Sequence, residues 1–290
     1  MFKLKITAVV TLYNPNKNIL SNITSYINTV NRIILCDNSK NNNEALFTDF
    51  DNIIYVFNNK NLGLSKAFNK ILNNKDFGWE DDEFIIFFDQ DSKVKDEHIS
   101  KLVDVFFELA DKGVNVGCVG PAYFNTISNK VEMVKRKKHI LFDTILVPTM
   151  ITSSMLTTYE NLTKIGLFNE KVFLDMADWD LCWRFTNKNY RCCVTMRTVF
   201  EHSVGEGIKQ FGPYKIRVWK PFREYYQVRD SLYLLHQSYV PYQSKVRLIL
   251  MATLVPLIKV FLLENKSERV KYIKRGYRDY FNGVSGGIFE

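Results

Sequence analysis

Two carboxylates one residue apart follow an unbroken apolar run: Phe84-Ile85-Ile86-Phe87-Phe88 leads straight into Asp89-Gln90-Asp91-Ser92. Like charges held this close call for a counter-ion. A hard cation such as Mg²⁺ or Mn²⁺, bound by one or two acids, keeps coordination positions open for phosphate oxygens, so the pair predicts a metal–diphosphate site. An isolated D-x-D also serves as a plain polar loop cap. The weight therefore falls on its companions.

Asp37-Asn38-Ser39 ends a second apolar run with acceptors and donors suited to a pyrimidine edge or a ribose, although alone it is ordinary turn chemistry. Asn61-Leu62-Gly63-Leu64-Ser65-Lys66-Ala67-Phe68-Asn69 places a glycine turn before a helix with small residues on one side, which suits close approach of a nucleotide. Asp175-Met176-Ala177-Asp178-Trp179-Asp180 puts three acids within six residues, ahead of Trp183 and Arg184. Any of Asp175, Asp178 and Asp180 could accept a proton from a hydroxyl as it attacks. The plainer reading is an acidic first helix turn with a core-facing tryptophan. Glu201-His202 supplies an imidazole able to complete a metal shell, though a lone histidine is more often structural. No G-x-G-x-x-G follows any predicted strand and no G-K-[ST] occurs, which counts against dinucleotide and P-loop chemistry.

These residues need a scaffold that gathers them. Four β-branched or aromatic runs, at 6–12, 32–36, 53–57 and 84–88, each end in polar residues and alternate with helix-compatible stretches. That rhythm predicts an α/β fold with a mostly parallel sheet, whose ligands bind at the carboxyl ends of the strands. A helix is predicted over 96–111 and a strand over 116–119, the unit closing at Gly120-Pro121. The pattern over 123–158 reads as short strands and loops with a basic run at 135–138. The acids Asp178 and Asp180 open a helix within 172–185, and a strand covers 191–200. Beyond Phe222 the pattern is helical, with an apolar stretch at 246–263 interrupted by Pro256 and Lys259.

A chain of 290 residues, 46% apolar, excludes disorder and accommodates one large domain with a helical appendage. Lys and Arg outnumber Asp and Glu, 39 to 31, which suggests a polyanionic partner. Nucleic acid is disfavoured, because the aromatics fall in apolar patterns and the acids sit at strand ends. Five cysteines without a C-x-x-C pair predict reduced thiols rather than disulfides or zinc, and the N-terminal apolar run is too short for a secretion signal, so a cytoplasmic location is expected. Residues 243–280 join the apolar stretch to Arg247, Lys259, Lys266, Arg269, Lys271, Lys274, Arg275 and Arg278, as in a helix lying on an anionic leaflet or a helical subdomain packed on the core.

In order and content, Val10-Thr11-Leu12-Tyr13-Asn14-Pro15, Cys36-Asp37-Asn38-Ser39, the segment 61–69, Phe88 to Ser92, Asp175 to Arg184 and His202 resemble the inverting glycosyltransferases of family 2, in particular their rhamnosyltransferase-like branch. The resemblance implies a GT-A type catalytic domain over 1–220, with a nucleotide-sugar half at 1–122 and an acceptor half at 123–220, then a helical, membrane-associating region at 221–290. It implies donor contacts from Thr11, Tyr13, Asn14, Asp37, Asn38, Asn61, Gly63, Ala67, Asn69, Asp89, Gln90 and Arg184, with Asp37 near the base and Asp89 near the ribose. Asp91 and His202 would hold Mn²⁺ or Mg²⁺, Asp178 would be the base, and Asp180 with Arg184 would hold the base and acceptor region. Ala177 stands where the family commonly has an acid, which keeps Asp175 and Asp180 as competing bases and a catalytically silent nucleotide-sugar binder as an alternative. Gln90 in the middle of the D-x-D matches the rhamnosyl branch. The implied reaction is transfer from dTDP-L-rhamnose, or from a UDP-hexose or UDP-galactofuranose, to a saccharide or polyprenyl-linked acceptor in bacterial surface polysaccharide synthesis. The enzyme would sit at the inner face of the plasma membrane, with its oligomeric state left open.

Overall fold

The apolar runs at 6–12, 32–36 and 84–88 become strands because both of their faces are covered, while the run at 53–57 forms a half-exposed edge. In the computed structural model, which describes residues 4–125, 130–132, 138–202, 207–211 and 214–287, β1 (Ile6–Leu12) sends Ala8, Val10 and Leu12 into one core and Val9 into another. β2 (Arg32–Asp37), β3 (Ile53–Phe57) and β4 (Phe84–Asp89) join it in the parallel order β3-β2-β1-β4. Continuous Ile, Val and Phe runs, rather than alternating ones, are what a sheet buried on both sides selects. Helices α1 (Asn18–Thr24) and α2 (Gly63–Leu72) connect these strands, and α3 (His98–Asp111) leads into β5 (Val116–Asn125).

The register sets the site. Leu12 lies opposite Asp37 on one side of β1, and Thr11 lies opposite Asp89 on the other. The two acids therefore flank the end of one strand, about 10 Å apart at the usual strand spacing. At the amino edge, Glu83 is fully buried and accepts from Arg32 at 2.9 Å and Thr7 at 2.5 Å, so part of the acidic stretch before β4 is structural.

The expected closure at Gly120-Pro121 does not occur, since β5 continues to Asn125. Proline is tolerated there for two reasons. The pairing of β5 with β9 (Leu156–Thr158) is confined to Val119, and the parallel partner β10 (Arg191–His202) changes register between Thr195 and Val199, just where Pro121 sits. The weakly patterned stretch forms β6 (Lys130–Glu132), β7 (Lys138–Leu141), β8 (Thr144–Leu146) and β9, the last inserted antiparallel between β4 and β5. Positions 135–137 of the basic run lie outside the described residues. α4 (Tyr159–Lys164) and α5 (Ala177–Asn187) precede β10, and a hairpin of β11 (Gly207–Phe211) and β12 (Tyr214–Val218) follows it.

The remaining helices are α6 (Arg223–Leu235), α7 (Tyr242–Ala252), α8 (Leu254–Leu262) and α9 (Lys266–Phe281). The apolar stretch breaks at Thr253, not at Pro256, which occupies the first turn of α8, where its missing N–H costs nothing. Leu234, Val240 and Leu248 share a core with Val172, Met176, Ala177 and Trp183, so the C-terminal helices buttress α5. Lys259 and Arg269, expected among the surface cations, instead turn inward onto Glu224 at 3.2 and 2.8 Å.

Gly63 opens α2 with φ +75°, and a Cβ there would lie 2.5 Å from Phe173 Cδ2. The neighbouring Leu64 N–H donates to the Phe173 carbonyl at 2.9 Å, which fixes this close approach. Gly63→Ala should therefore destabilise the protein by about 2 kcal/mol or more, from the left-handed backbone and the displaced ring together. Urea unfolding midpoints of the two proteins measure it, and equal midpoints would refute the account.

Candidate active site

Three loops at the carboxyl edge of the sheet are tied together before any ligand arrives. The Tyr13 N–H donates to Gln90 Oε1 at 2.8 Å, and Asn22 Nδ2 donates to the Gln90 carbonyl at 2.9 Å. Asn14, at φ +48°, donates its N–H to Ser39 Oγ at 2.6 Å. Gln90 thus anchors the loops after β1 and β4 to each other, a role its place between two acids did not suggest. Asp37 is fully buried and accepts from the Ser39 N–H and Asn43 Nδ2, both at 2.8 Å, and from the Tyr55 hydroxyl at 2.5 Å. Asn38 accepts from Asn58 Nδ2 at 2.9 Å and donates to the Gly63 carbonyl at 3.3 Å, and Asn61 Oδ1 caps the Gly63 N–H at 2.9 Å. Such satisfied polar loops pre-form this edge of the sheet at low reorganisation cost. Thr11 and Tyr13 lie along it, with Tyr13 exposed.

Two of the expected donor-binding residues are buried in packing instead. Ala67 is fully buried beneath β2, where its carbonyl accepts from the Cys36 thiol. Asn69 is buried against the 168–170 loop, donating to the Phe168 carbonyl at 2.9 Å and accepting the Phe168 N–H at 2.9 Å. Small and amide residues on one helix face served packing here.

The three candidate bases separate by environment. Asp175 is ion-paired to Arg223, whose charge opposes the upward push that burial gives its carboxyl. Asp180 is fully buried and saturated by Arg184 Nε at 2.7 Å, Asn169 Nδ2 at 3.2 Å and the Tyr239 hydroxyl at 2.5 Å. Arg184 thereby faces Asp180, and also donates to the Ile165 carbonyl at 3.0 Å, so it stiffens α5. Asp178 differs. Burial pushes its carboxyl up to about 7, the Thr152 hydroxyl that donates to it opposes the shift, and the negative charge of Asp89 adds to it. A carboxyl that titrates near neutrality is suited to taking and releasing a proton.

Asp89 and Asp178 therefore repel across the site, while Asp91 is exposed at the loop tip beyond β4. Oxygen ligands of one charge sign facing one another fit a hard divalent cation. His202 ends β10, but its side chain lies outside the described residues.

A segment that motif reading missed joins these acids. Thr152 holds Asp178, Ser153 Oγ lies 3.0 Å from Ser92 Oγ, and Ser92 Oγ accepts the Asp89 N–H at 3.0 Å. Next to them Ser154, at φ +65°, meets His98 Nε2 at 2.6 Å, and His98 Nδ1 meets Thr198 Oγ1 at 2.7 Å. Burial drives the His98 imidazole down to about 4, so it is neutral at pH 7. The only sequence signal was a Thr-Ser-Ser run inside a stretch without clear periodicity. The cysteines, read as reduced thiols, include a buried trio: the sulfur atoms of Cys118, Cys182 and Cys192 lie within 4.8 Å of one another where α5 packs on β5 and β10.

Over 97% of both chains, the protein is 25% identical to dTDP-rhamnosyl transferase RfbF of Shigella flexneri. S. aureus TarS 1-349 in complex with UDP-GlcNAc superposes with a TM-score of 0.62 at 15% identity, covering 97% of this chain and 82% of that one. GalNAc-T7 with UDP, GalNAc and Mn²⁺ gives a TM-score of 0.55 at 12% identity, with 97% of this chain matched to 56% of the longer one. At such identities the likeness is one of fold, the GT-A type that the resemblance to family 2 implied. The sequence of residues 7–166, more than half of the chain, matches the model of Glycosyl transferase family 2. With that match over more than half of its length, the chain belongs to glycosyl transferase family 2.

Proposed function

We propose that this glycosyltransferase moves L-rhamnose from dTDP-L-rhamnose, with inversion, onto a saccharide or polyprenyl-linked acceptor in bacterial surface polysaccharide synthesis. The observation that carries the reading is Asp178: alone among the three acids of its segment it is neither ion-paired nor saturated, and it titrates near 7 facing Asp89. The rhamnosyl donor is supported by the full-length likeness to the Shigella enzyme. Among the described residues no helix is long and apolar enough to cross a membrane, and we place the enzyme peripherally at the cytoplasmic face, where a lipid-linked acceptor would be met.

In this mechanism the nucleotide lies along the ends of β1 and β2, with its base over the Asp37–Asn38 loop and its ribose toward Asp89. Asp91 and His202 would hold Mn²⁺ or Mg²⁺, whose chemistry when bound is to neutralise the departing diphosphate. Asp178 Oδ accepts the proton of the acceptor hydroxyl as that oxygen bonds to the anomeric carbon and the sugar–phosphate bond breaks on the opposite face. Thr152 fixes the rotamer of Asp178, and the Asp180–Arg184–Tyr239 cluster holds the helix that carries it.

Thermal melts with dTDP-rhamnose, UDP-hexoses and UDP-galactofuranose, each with and without Mn²⁺, test the donor, because a ligand that binds the folded state alone raises its melting temperature. A metal-dependent rise with dTDP-rhamnose, followed by transfer to acceptor, is expected. A rise with a UDP-sugar alone would retain the class and reject the rhamnosyl reading.

A further inference from the structure

Helix α8 is built inside out. Its one charged residue, Lys259, is 7% exposed and held by Glu224 at 3.2 Å and Gln227 at 2.6 Å, whereas Leu257 and Phe261 are 54% and 74% exposed. A helix on a soluble surface turns its cation outward and its leucines inward. The outward side of α8 carries no ionisable group at all, and the stripe continues across the break at Thr253 onto α7 through Leu250, Val246 and Tyr242, at successive helical turns. Runs of exposed apolar side chains of this length mark interaction surfaces.

The rim has one dominant sign. Lys245 and Arg247 stand on α7, and Lys266, Lys271 and Lys274 are exposed along α9, which packs beside α8. Of the two acids nearby, Glu264, just beyond α8, is taken up by Lys209 at 2.5 Å, and Glu268 in the first turn of α9 is outnumbered by the lysines around it. A second copy of the chain meeting this face about a two-fold axis would bring cation against cation, which disfavours association. A negatively charged bilayer instead offers hydrocarbon to Leu257 and Phe261 and phosphate to the flanking lysines, the arrangement of an amphipathic helix lying in the membrane plane.

We propose that the outward face of α7 and α8 inserts into an anionic lipid surface, with Tyr242, Leu250, Leu257 and Phe261 as the embedded side chains. The inference deepens the peripheral placement proposed above and rests with it on the helix faces, while the donor and the reaction stand or fall separately. It refines the anchor expected from sequence, because Lys259 and Arg269 take no part and the apolar residues of α7 and α8 do.

Flotation of the full chain with phosphatidylcholine vesicles, with and without about 30 mol% phosphatidylglycerol, tests it. The wild type is expected to float with the anionic vesicles, and Leu257→Glu/Phe261→Glu to lose at least tenfold in partitioning while keeping the wild-type melting temperature, since both positions are exposed. Binding that survives the double substitution, or equal binding to uncharged vesicles, would overturn the proposal. So would a wild-type protein that ignores vesicles yet sediments as a dimer that Leu257→Glu/Phe261→Glu dissociates, an outcome that assigns the face to a second copy.

Discussion

Asp178→Asn is expected to abolish sugar transfer and, in the same protein without metal, to raise stability above pH 7. Both effects come from one carboxylate. Burial is the main cause of its shift to about 7, reinforced by the charge of Asp89 and opposed by the Thr152 hydroxyl. In the unfolded chain the same group titrates near 3.9. Between those values the folded state keeps a proton that the unfolded state has released, so folding stability falls as pH rises from about 4 to about 7 and is lowest, as far as this residue is concerned, above 7. A three-unit shift corresponds to a cost of roughly 4 kcal/mol, and on the order of 2 kcal/mol after relaxation of the site. Asparagine keeps the shape and an acceptor for Thr152 without the charge. Urea melts at pH 5 and pH 8 should then show a gain that is small at the first and large at the second. Transfer should drop by about a thousandfold or more, the usual worth of a positioned base. Retained transfer would remove Asp178 from the mechanism, and a stability gain independent of pH would remove the account of its environment.

The parts of this protein that could be read before its structure are those where one local rule acts alone. Continuous apolar runs at 6–12 and 53–57 became strands with those same bounds, the first because burial on both faces leaves little choice of residue and the second, half-exposed at the sheet edge, through its β-branched and aromatic content. The acidic first turn of α5 was equally legible, because carboxylates favour a helix N-terminus. Long-range competition was not legible. Lys259 looks like a surface cation until Glu224, thirty-five residues earlier, is folded beneath it. Asn69 looks like a ligand contact until the 168–170 loop arrives to use both ends of its amide. Asp175, Asp178 and Asp180 are indistinguishable as letters and diverge only when Arg223, Thr152 and Tyr239 come in from other elements. Pro121 misled for a similar reason, because its effect depends on which neighbouring strand still needs its N–H.

Asp91→Asn should have the second-largest effect, and its value lies in contrast with Asp178→Asn. Asp91 is exposed, so its replacement should leave the metal-free folding free energy within about 0.5 kcal/mol of wild type. Mn²⁺ with the sugar nucleotide should nevertheless cease to raise the melting temperature, and transfer should fall by two orders of magnitude or more, if this carboxylate holds the cation against the diphosphate. Asp89→Asn provides the internal check. It removes the charge that helps to push Asp178 up, so the pH midpoint of the Asp178-dependent stability change should move down in Asp89→Asn and stay in place in Asp91→Asn. If instead Asp91→Asn lost stability but kept the metal response, the D-x-D would be a loop cap after all, and the cation would have to be sought among Asp89, Asp178 and the end of β10.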